Sequence, residues 1–300
     1  MVPTAIELPQ IPGYRLSASL RTGGMSTLFA GEALPGAAAP PGAAVAVKLL
    51  HPQLLTEVEL VMRFHNEAAL LLSAKSEGLV RAYESGHLKD EVPYLVLERL
   101  SHSLADVLDA HASGLPEKKA LAVAQALAAA LARLHESGVI HRDLKPSNIM
   151  FAESSDAVGN DCALRLIDLG LAKFDPLRGS AAGATPERFL PVSTADTALL
   201  GTYEYMAPEQ CLNPKQVRVP SDSYSLGVVI FQMLSGQLPF SDPCTKVLMS
   251  KHLWDKPPLG LVRSRAVRSL VAALLSKEPA SRPSAAEASA HLARLLKKTS

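Results

Sequence analysis

Residues His141–Asn148 hold three side chains of distinct chemistry close together in the sequence. Asp143 supplies a carboxylate, Lys145 a cation and Asn148 an amide, in a segment that Pro146 makes prone to turn. A positioned carboxylate can accept a proton, and a nearby cation can stabilise negative charge as it develops. The pattern is typical of a catalytic loop, and a surface loop with a helix-capping asparagine is the alternative.

A second carboxylate, Asp168, follows 25 residues after Asp143. It ends a short apolar strand candidate, Leu166–Ile167, and Leu169 and Gly170 come next. Glycine permits a sharp turn of the backbone there. A plain strand-to-turn sequence is the alternative for so short a motif.

Two further charged residues precede the loop. Alternation along the strand candidate Val45–Lys48 predicts that Ala46 and Lys48 point to the same face. Glu67 lies on a predicted helix whose apolar residues recur at helical spacing, namely Leu60, Phe64, Ala68 and Leu71. A solvated strand lysine is the alternative for Lys48.

The elements that must position these residues fall into two parts. Short strand candidates dominate the first part: Tyr14–Leu20, Thr27–Ala33, Val45–Leu49 and Tyr94–Glu98. Residues 34–42 are rich in Pro and Gly and predict an exposed hairpin connection. Helical periodicity dominates the second part: Leu104–Ala112, Pro116–Glu136, Asp222–Ser235, Ala266–Leu275 and Ala285–Lys298. We expect a small strand-rich lobe, a larger helical lobe and a ligand cleft between them.

Composition argues against several classes of protein. The balance of 30 Lys and Arg against 29 Asp and Glu disfavours a nucleic-acid or membrane-surface binder. Three widely spaced cysteines disfavour a disulfide framework or a structural zinc site. Long apolar runs are absent and Met1–Gln10 lacks the order of a signal peptide, so we expect no membrane span and a cytoplasmic location. The lone Trp254 is expected to be a packing anchor.

Taken in order, these motifs resemble the eukaryotic-like (Hanks-type) serine/threonine protein kinases of bacteria. His141–Asn148 matches H-R-D-L-x-x-x-N, Val45–Lys48 matches V-A-I-K, Asp168–Gly170 matches D-F-G with Leu for Phe, and Ala207–Glu209 is an intact A-P-E. The resemblance covers residues 14–296 and implies an α+β, bilobal protein-kinase-like fold. The implied divisions are an N-terminal extension over residues 1–13, an N-lobe over 14–97, a hinge over 98–101 and a C-lobe over 102–296.

The resemblance also implies an activity and its site. The activity is transfer of the γ-phosphoryl group of ATP to Ser or Thr hydroxyls of proteins, with ATP and Mg²⁺ bound. Asp143 would accept the proton, Lys145 would stabilise the transferring group, and Lys48 braced by Glu67 would align the phosphates. Asn148 and Asp168 are the implied metal ligands. The implied ATP-binding residues are Leu20, Gly23, Gly24, Ser26, Leu28, Ala46, Lys48, Glu98 and Leu100.

The glycine-rich loop departs from the family pattern. Arg21 and Ser26 occupy its first and third glycine positions, so side chains there can crowd the phosphates. This departure bears on ATP affinity and turnover and not on the fold, and a pseudokinase that binds ATP as a scaffold is therefore the alternative function. A small-molecule kinase is the second alternative, and the A-P-E motif together with Thr202 argues against it.

Regulatory and structural roles follow from the same resemblance. Arg142 implies control by a phosphate on the activation segment, and Thr194 and Thr197 are the candidate sites. Thr202 together with Lys145 implies Ser or Thr acceptors. Two structural roles are also implied: Asp222 would hold the catalytic loop backbone, and Glu209 would form an ion pair with Arg282.

Overall fold

The computed structural model describes residues 8–74, 76–152, 163–174, 203–213 and 217–299. These divide into two compact units. The first contains residues 8–74 and 80–100, and the second contains residues 76–79 and the described residues from 101 onward.

The first unit is a five-stranded antiparallel sheet with one helix. Its strands lie in the order β1-β2-β3-β5-β4. Helix α1 packs against β4 and β5. The elements are β1 (Tyr14–Thr22), β2 (Ser26–Ala33), β3 (Ala44–Leu50), α1 (Val58–Ser73), β4 (Ala82–His87) and β5 (Pro93–Glu98).

Alternation along β3 builds the core of this unit. Val45 and Val47 are fully buried and pack with Tyr14, Tyr94 and Val96. The residues between them therefore face the other side of the sheet, because successive strand side chains point to opposite faces. This places Lys48 opposite the core cluster, as the sequence predicted.

Two features of the first unit differ from the predictions. Strand β4 was not predicted, because its sequence carries few apolar residues and it pairs only with β5 at the edge of the sheet. The prediction of an exposed loop over residues 34–42 is wrong at Ala39, which is buried and donates its N–H to the Tyr14 hydroxyl.

The second unit is mainly helical. Helix α3 packs against α5 and α8, and α5 packs against α7. Strand β8 lies between β6 and β9, and β7 pairs with β10. The elements are β6 (Leu100–Ser103), α2 (Leu104–Asp109), α3 (Glu117–Glu136), β7 (Val139–Ile140), β8 (Ile149–Ala152), β9 (Leu164–Leu166), β10 (Lys173–Phe174), α4 (Pro208–Leu212), α5 (Val219–Ser235), α6 (Thr245–Trp254), α7 (Arg265–Leu274) and α8 (Ala285–Thr299).

All five predicted helices of this part are present, and the α+β prediction of a strand-rich part followed by a helical part is confirmed. Helix α5 begins at Val219, so Asp222 lies inside the helix and does not cap it. Helix α6 was missed because its apolar residues lie on all sides of the helix and form no single stripe. Among the described residues, no helix is long and apolar enough to cross a bilayer.

Candidate active site

The catalytic-loop candidate follows strand β7 and ends in a short 3-10 turn, Pro146–Asn148. The buried side chain of His141 holds the start of this loop in place through two hydrogen bonds. Its Nδ1 accepts the N–H of Asp143 at 3.3 Å, so its Nε2 carries the proton donated to the Ile167 carbonyl at 3.2 Å. The buried imidazole thus links the loop to the segment that leads to Asp168.

Asp143 lies between two donors. Its Oδ2 accepts from Lys145 Nζ at 2.8 Å and from Asn148 Nδ2 at 3.0 Å. Burial raises the pKa of Asp143 above its usual value, although the charge and hydrogen bond of Lys145 act to lower it. The nearby Asp168 raises the pKa of Asp143 further, because two carboxylates disfavour each other's charged form.

Asn148 and Asp168 come together through the pairing of β8 with β9. The Asn148 carbonyl accepts the N–H of Ile167, the residue before Asp168, at 3.0 Å. Asp168 itself adopts a left-handed backbone with φ 61°, and the neighbouring Leu169 is buried. The sharp turn that the sequence predicted at Gly170 therefore already begins at Asp168. Asp168 is exposed beside the loop.

Asp222 holds the backbone of this loop from helix α5. Its Oδ2 accepts the N–H of His141 and its Oδ1 accepts the N–H of Arg142, both at 2.8 Å. His135 Nε2 also lies 2.8 Å from Oδ2. Burial alone would raise the pKa of Asp222, but His135 and the N–H donors outweigh it and lower that pKa. The contacts agree with the predicted structural role.

Lys48 and Glu67 form a bidentate ion pair within the first unit. Lys48 Nζ lies 2.8 Å from Glu67 Oε1 and 2.7 Å from Oε2. Glu67 is 3% exposed and Lys48 15%, so the pair is largely removed from water. Strand β3 and helix α1 therefore present one charged pair, as the family resemblance implied.

The glycine-rich turn joins β1 to β2. Gly23 donates its N–H to the Ser26 carbonyl at 2.9 Å, and Thr22 pairs with Thr27 across the hairpin. A Cβ at Gly24 would meet no atom within 4 Å. The protein itself therefore does not require a glycine at position 24. Arg21, at the first glycine position of the family pattern, is exposed on β1.

The other implied ATP-binding residues lie on neighbouring strands or at the ends of strands. Ala46 pairs with Leu97 across β3 and β5, and Leu28 pairs with Lys48 across β2 and β3. Leu20 is about half exposed near the end of β1. Two further predicted residues lie at strand ends: Glu98 is the last residue of β5 and Leu100 is the first residue of β6.

Comparison with known proteins decides the family. The chain matches the protein kinase domain family over residues 30–292. This chain belongs to the protein kinase family. It is 36% identical over 280 residues to the serine/threonine-protein kinase pkn2 of Myxococcus xanthus, a match that covers 91% of this chain and 31% of that relative. The predicted resemblance to bacterial serine/threonine kinases is thereby confirmed.

Two further relatives give the same result. The kinase domain is 33% identical over 277 residues to the serine/threonine-protein kinases drp72 of Corynebacterium efficiens, covering 90% of this chain and 48% of the relative. It is 30% identical over 261 residues to the serine/threonine-protein kinase PknB of Mycobacterium tuberculosis, a match that covers 84% of this chain and 38% of that relative. The chain thus spans about a third to a half of the length of the curated relatives it matches.

The regulatory candidates of the kinase domain are only partly described. Arg142 has a left-handed backbone with φ 70°. Thr194, Thr197 and Thr202 lie outside the described residues.

The A-P-E motif ends in the predicted ion pair. Arg282 Nη1 and Nη2 donate to the two carboxylate oxygens of Glu209 at 2.7 and 2.8 Å. Ser221 also donates to Oε1 at 2.7 Å. Burial raises the pKa of Glu209, but Arg282 and Ser221 outweigh it and lower that pKa. This bidentate pair joins α4 to the turn before α8 and is structural.

Sequence reasoning missed two residues that support the loop of this kinase domain. Gln210 Nε2 donates to the Arg142 carbonyl at 3.0 Å, and its Oε1 accepts the Ala207 N–H. His135, near the end of α3, contacts Asp222. Gln210 directly follows the A-P-E motif, which is the signal that could have revealed it; His135 carried no such signal.

Proposed function

We propose that this chain is a serine/threonine protein kinase that transfers the γ-phosphoryl group of ATP to Ser or Thr hydroxyls of proteins. The observation that carries the proposal is the Asp143 carboxylate held by Lys145 and Asn148, with Asp168 next to it. Transfer of this kind depends mainly on positioning and on neutralising charge, and these side chains supply both.

Asp143 orients the acceptor hydroxyl and takes its proton. Its raised pKa suits this role, because a base works best when its pKa lies closer to the working pH. Lys145, 2.8 Å from the same carboxylate, stabilises the negative charge of the transferring group. Asn148 fixes the orientation of Asp143 through its Nδ2, which also donates to the Asp143 carbonyl at 2.9 Å.

Asn148 and Asp168 are the residues that would hold Mg²⁺. Asn148 Nδ2 donates hydrogen bonds to Asp143, so the Oδ1 atom of Asn148 is the one that can coordinate a cation. Asp168 adds a carboxylate. Two such oxygen donors fit Mg²⁺, which binds one or two protein groups and completes its shell with phosphates and water. When bound, Mg²⁺ neutralises charge on the phosphates.

ATP binding is assigned to the first unit and the segment that follows it. The Lys48–Glu67 ion pair supports this assignment, because a braced lysine can align the α and β phosphates. The open space at Gly24 supports an approach of phosphate to the turn. The proposed set is Leu20, Gly23, Gly24, Ser26, Leu28, Ala46, Lys48, Glu98 and Leu100, and the proposed kinase domain is residues 14–296 with a hinge at 98–101.

Regulation is proposed through Arg142 and a phosphate at Thr194 or Thr197. The left-handed Arg142 backbone is tied at its N–H by Asp222 and at its carbonyl by Gln210. Mass mapping of active protein tests this: phosphate at Thr194 or Thr197 is expected, and active protein without phosphate between Ser180 and Thr202 contradicts it. A cytoplasmic location and the lack of a nucleic-acid partner stay predictions.

The test of the activity uses γ-labelled ATP, magnesium and a generic basic protein as acceptor. We expect wild type to label Ser or Thr of the acceptor and Asp143→Asn to lose at least a hundredfold in rate. Asp109→Asn, an exposed carboxylate on α2, is the matched control and keeps full activity. Bound ATP without transfer in wild type would favour the pseudokinase alternative, and transfer only to small alcohols would favour the small-molecule kinase.

A further inference from the structure

His51 directly follows strand β3, and its backbone is held on both sides. Its N–H donates to the Met25 carbonyl at 2.9 Å, and its carbonyl accepts the Leu54 N–H at 2.9 Å. Pro52 comes next and begins a short 3-10 turn, and a residue before proline is restricted to extended backbone. His51 has φ −68° and ψ 127°, in agreement with that restriction. Its side chain therefore projects from a backbone with little freedom.

The half-buried imidazole of His51 contacts the base of the glycine-rich turn. Its Nε2 lies 3.0 Å from Thr27 Oγ1, and Thr27 Oγ1 donates to Thr22 Oγ1 at 3.4 Å. A hydroxyl has one hydrogen, so Thr27 accepts from His51, and the Nε2 atom carries the proton. The 3.4 Å contact is long for a bond between two oxygens, so the bond from His51 is the stronger restraint on Thr27.

The two contacts of His51 lie on either side of Ser26. The Ser26 carbonyl closes the turn by accepting the Gly23 N–H at 2.9 Å. Met25 is held through its carbonyl and Thr27 through its hydroxyl, so this side of the turn is fixed at two points. We call the contacts of His51 with Met25 and Thr27 the His51 tether. All of its residues belong to the first unit.

The glycine-rich turn needs such a restraint because of its own sequence. Gly23 and Gly24 are adjacent, and both are exposed. Glycine has more backbone freedom to lose than any other residue, so a turn with two of them samples many conformations. Ordering the turn on binding would weaken affinity for a ligand, whereas a turn that is already ordered binds more tightly.

We propose that His51 is a positioning residue for ATP, which it never touches. Through Met25 and Thr27 it holds the glycine-rich turn in the conformation that receives phosphate. The tether also sets the turn relative to Lys48, because Thr27 pairs with Leu49, the residue after that lysine. The inference rests on the proposed function, in which the turn and Lys48 both contact the phosphates.

The experiment is a double-mutant cycle on ATP affinity. Isothermal titration calorimetry gives the Kd of ATP with magnesium for wild type, Thr27→Val, His51→Leu and the double variant, at a temperature where all four are folded. We expect each single variant to bind ATP about three- to tenfold more weakly, which corresponds to one lost hydrogen bond. The double variant should be no weaker than the weaker single variant, because both changes remove the same contact.

Three further measurements separate positioning from a role in stability alone. His51→Gln keeps an amide N–H that can donate to Thr27, so it should restore most of the lost affinity. The KM for ATP should follow the Kd in every variant, while kcat at saturating ATP stays within about twofold of wild type, since the tether acts on binding. In protein without nucleotide, amide hydrogens of residues 24–27 should exchange faster in Thr27→Val and His51→Leu.

His111→Leu is the matched control. His111 is a half-buried histidine of the second unit whose Nδ1 lies 2.7 Å from the Val107 carbonyl, so this variant also loses a histidine hydrogen bond but should keep the wild-type Kd. An unchanged Kd in His51→Leu, additive losses in the double variant, or His51→Gln as weak as His51→Leu would each overturn the inference. Wild type that binds no ATP would overturn the proposed function together with it, whereas ATP binding with equal Kd in every variant would overturn the inference alone.

Discussion

The Asp222 carboxylate holds Arg142 in a left-handed backbone conformation. Its Oδ1 accepts the Arg142 N–H at 2.8 Å, across 80 residues of sequence, and φ of Arg142 is 70°. Such a conformation costs about 1–3 kcal/mol for a residue other than glycine. The contact therefore offsets strain in the residue directly before Asp143, and the buried helix α5 supplies the rigid support.

Replacing Asp222 with Asn tests this support. An amide can accept on one side only, so one of the N–H groups of His141 and Arg142 loses its acceptor. We expect about 2–4 kcal/mol less stability by urea unfolding, and activity reduced more than ATP binding. Asp106→Ala, which removes the N3 partner of Ser103 in the exposed capping box of α2, is a stability control with about 1 kcal/mol expected. Unchanged activity in Asp222→Asn would contradict the positioning role.

The Lys48–Glu67 pair is suited to a double-mutant cycle. Lys48→Met leaves the buried Glu67 without its main cation, so we expect a loss of about 3 kcal/mol in the free energy of unfolding. Adding Glu67→Gln should restore part of that stability but none of the kinase activity. The measurement is urea unfolding of the four proteins, with ATP-dependent transfer assayed in parallel. Additive changes in stability would show that the two side chains are not coupled.

Gly24→Ala separates folding from phosphate binding. An added Cβ meets no protein atom within 4 Å, so we expect stability within about 0.5 kcal/mol of wild type. The KM for ATP should nevertheless rise severalfold, because the methyl group occupies the space that phosphate would approach. Gly260→Ala has the same open surroundings in the second unit and is the matched control. Equal KM values in both variants would contradict the phosphate assignment of this turn.

His252 makes stability depend on pH. It is buried against Phe240 and contacts the Tyr224 hydroxyl at 3.0 Å, and burial lowers its pKa to about 4. Unfolded His titrates near pH 6.5, so the unfolded chain binds more protons between pH 4 and 6.5. Stability should therefore fall by about 2–4 kcal/mol as pH drops through that window. His252→Gln should remove this contribution while matching the wild-type trend above pH 7. An identical pH profile in both proteins would contradict the buried neutral state.

The sequence by itself determined the family and predicted the catalytic chemistry that we propose. The residues of the loop, of Asp168–Gly170 and of Val45–Lys48 are recognisable because phosphoryl transfer restricts residue types at fixed offsets. Strong alternation and helical periodicity also determined the central strands and five helices of the second part, since each has one clearly buried face.

Only the tertiary structure decided which distant residues support the loop and where Trp254 lies. His135 and Gln210 reach the loop through packing between helices, and no periodicity in their own segments predicts such a contact. Of the supporting residues, the family resemblance had implied only Asp222. Trp254 is apolar and was expected inside, yet it is 75% exposed, because the buried face of α6 is set by Leu248 and His252. Local sequence specifies which residues favour burial, but the neighbours available on each side of an element decide which of them are buried.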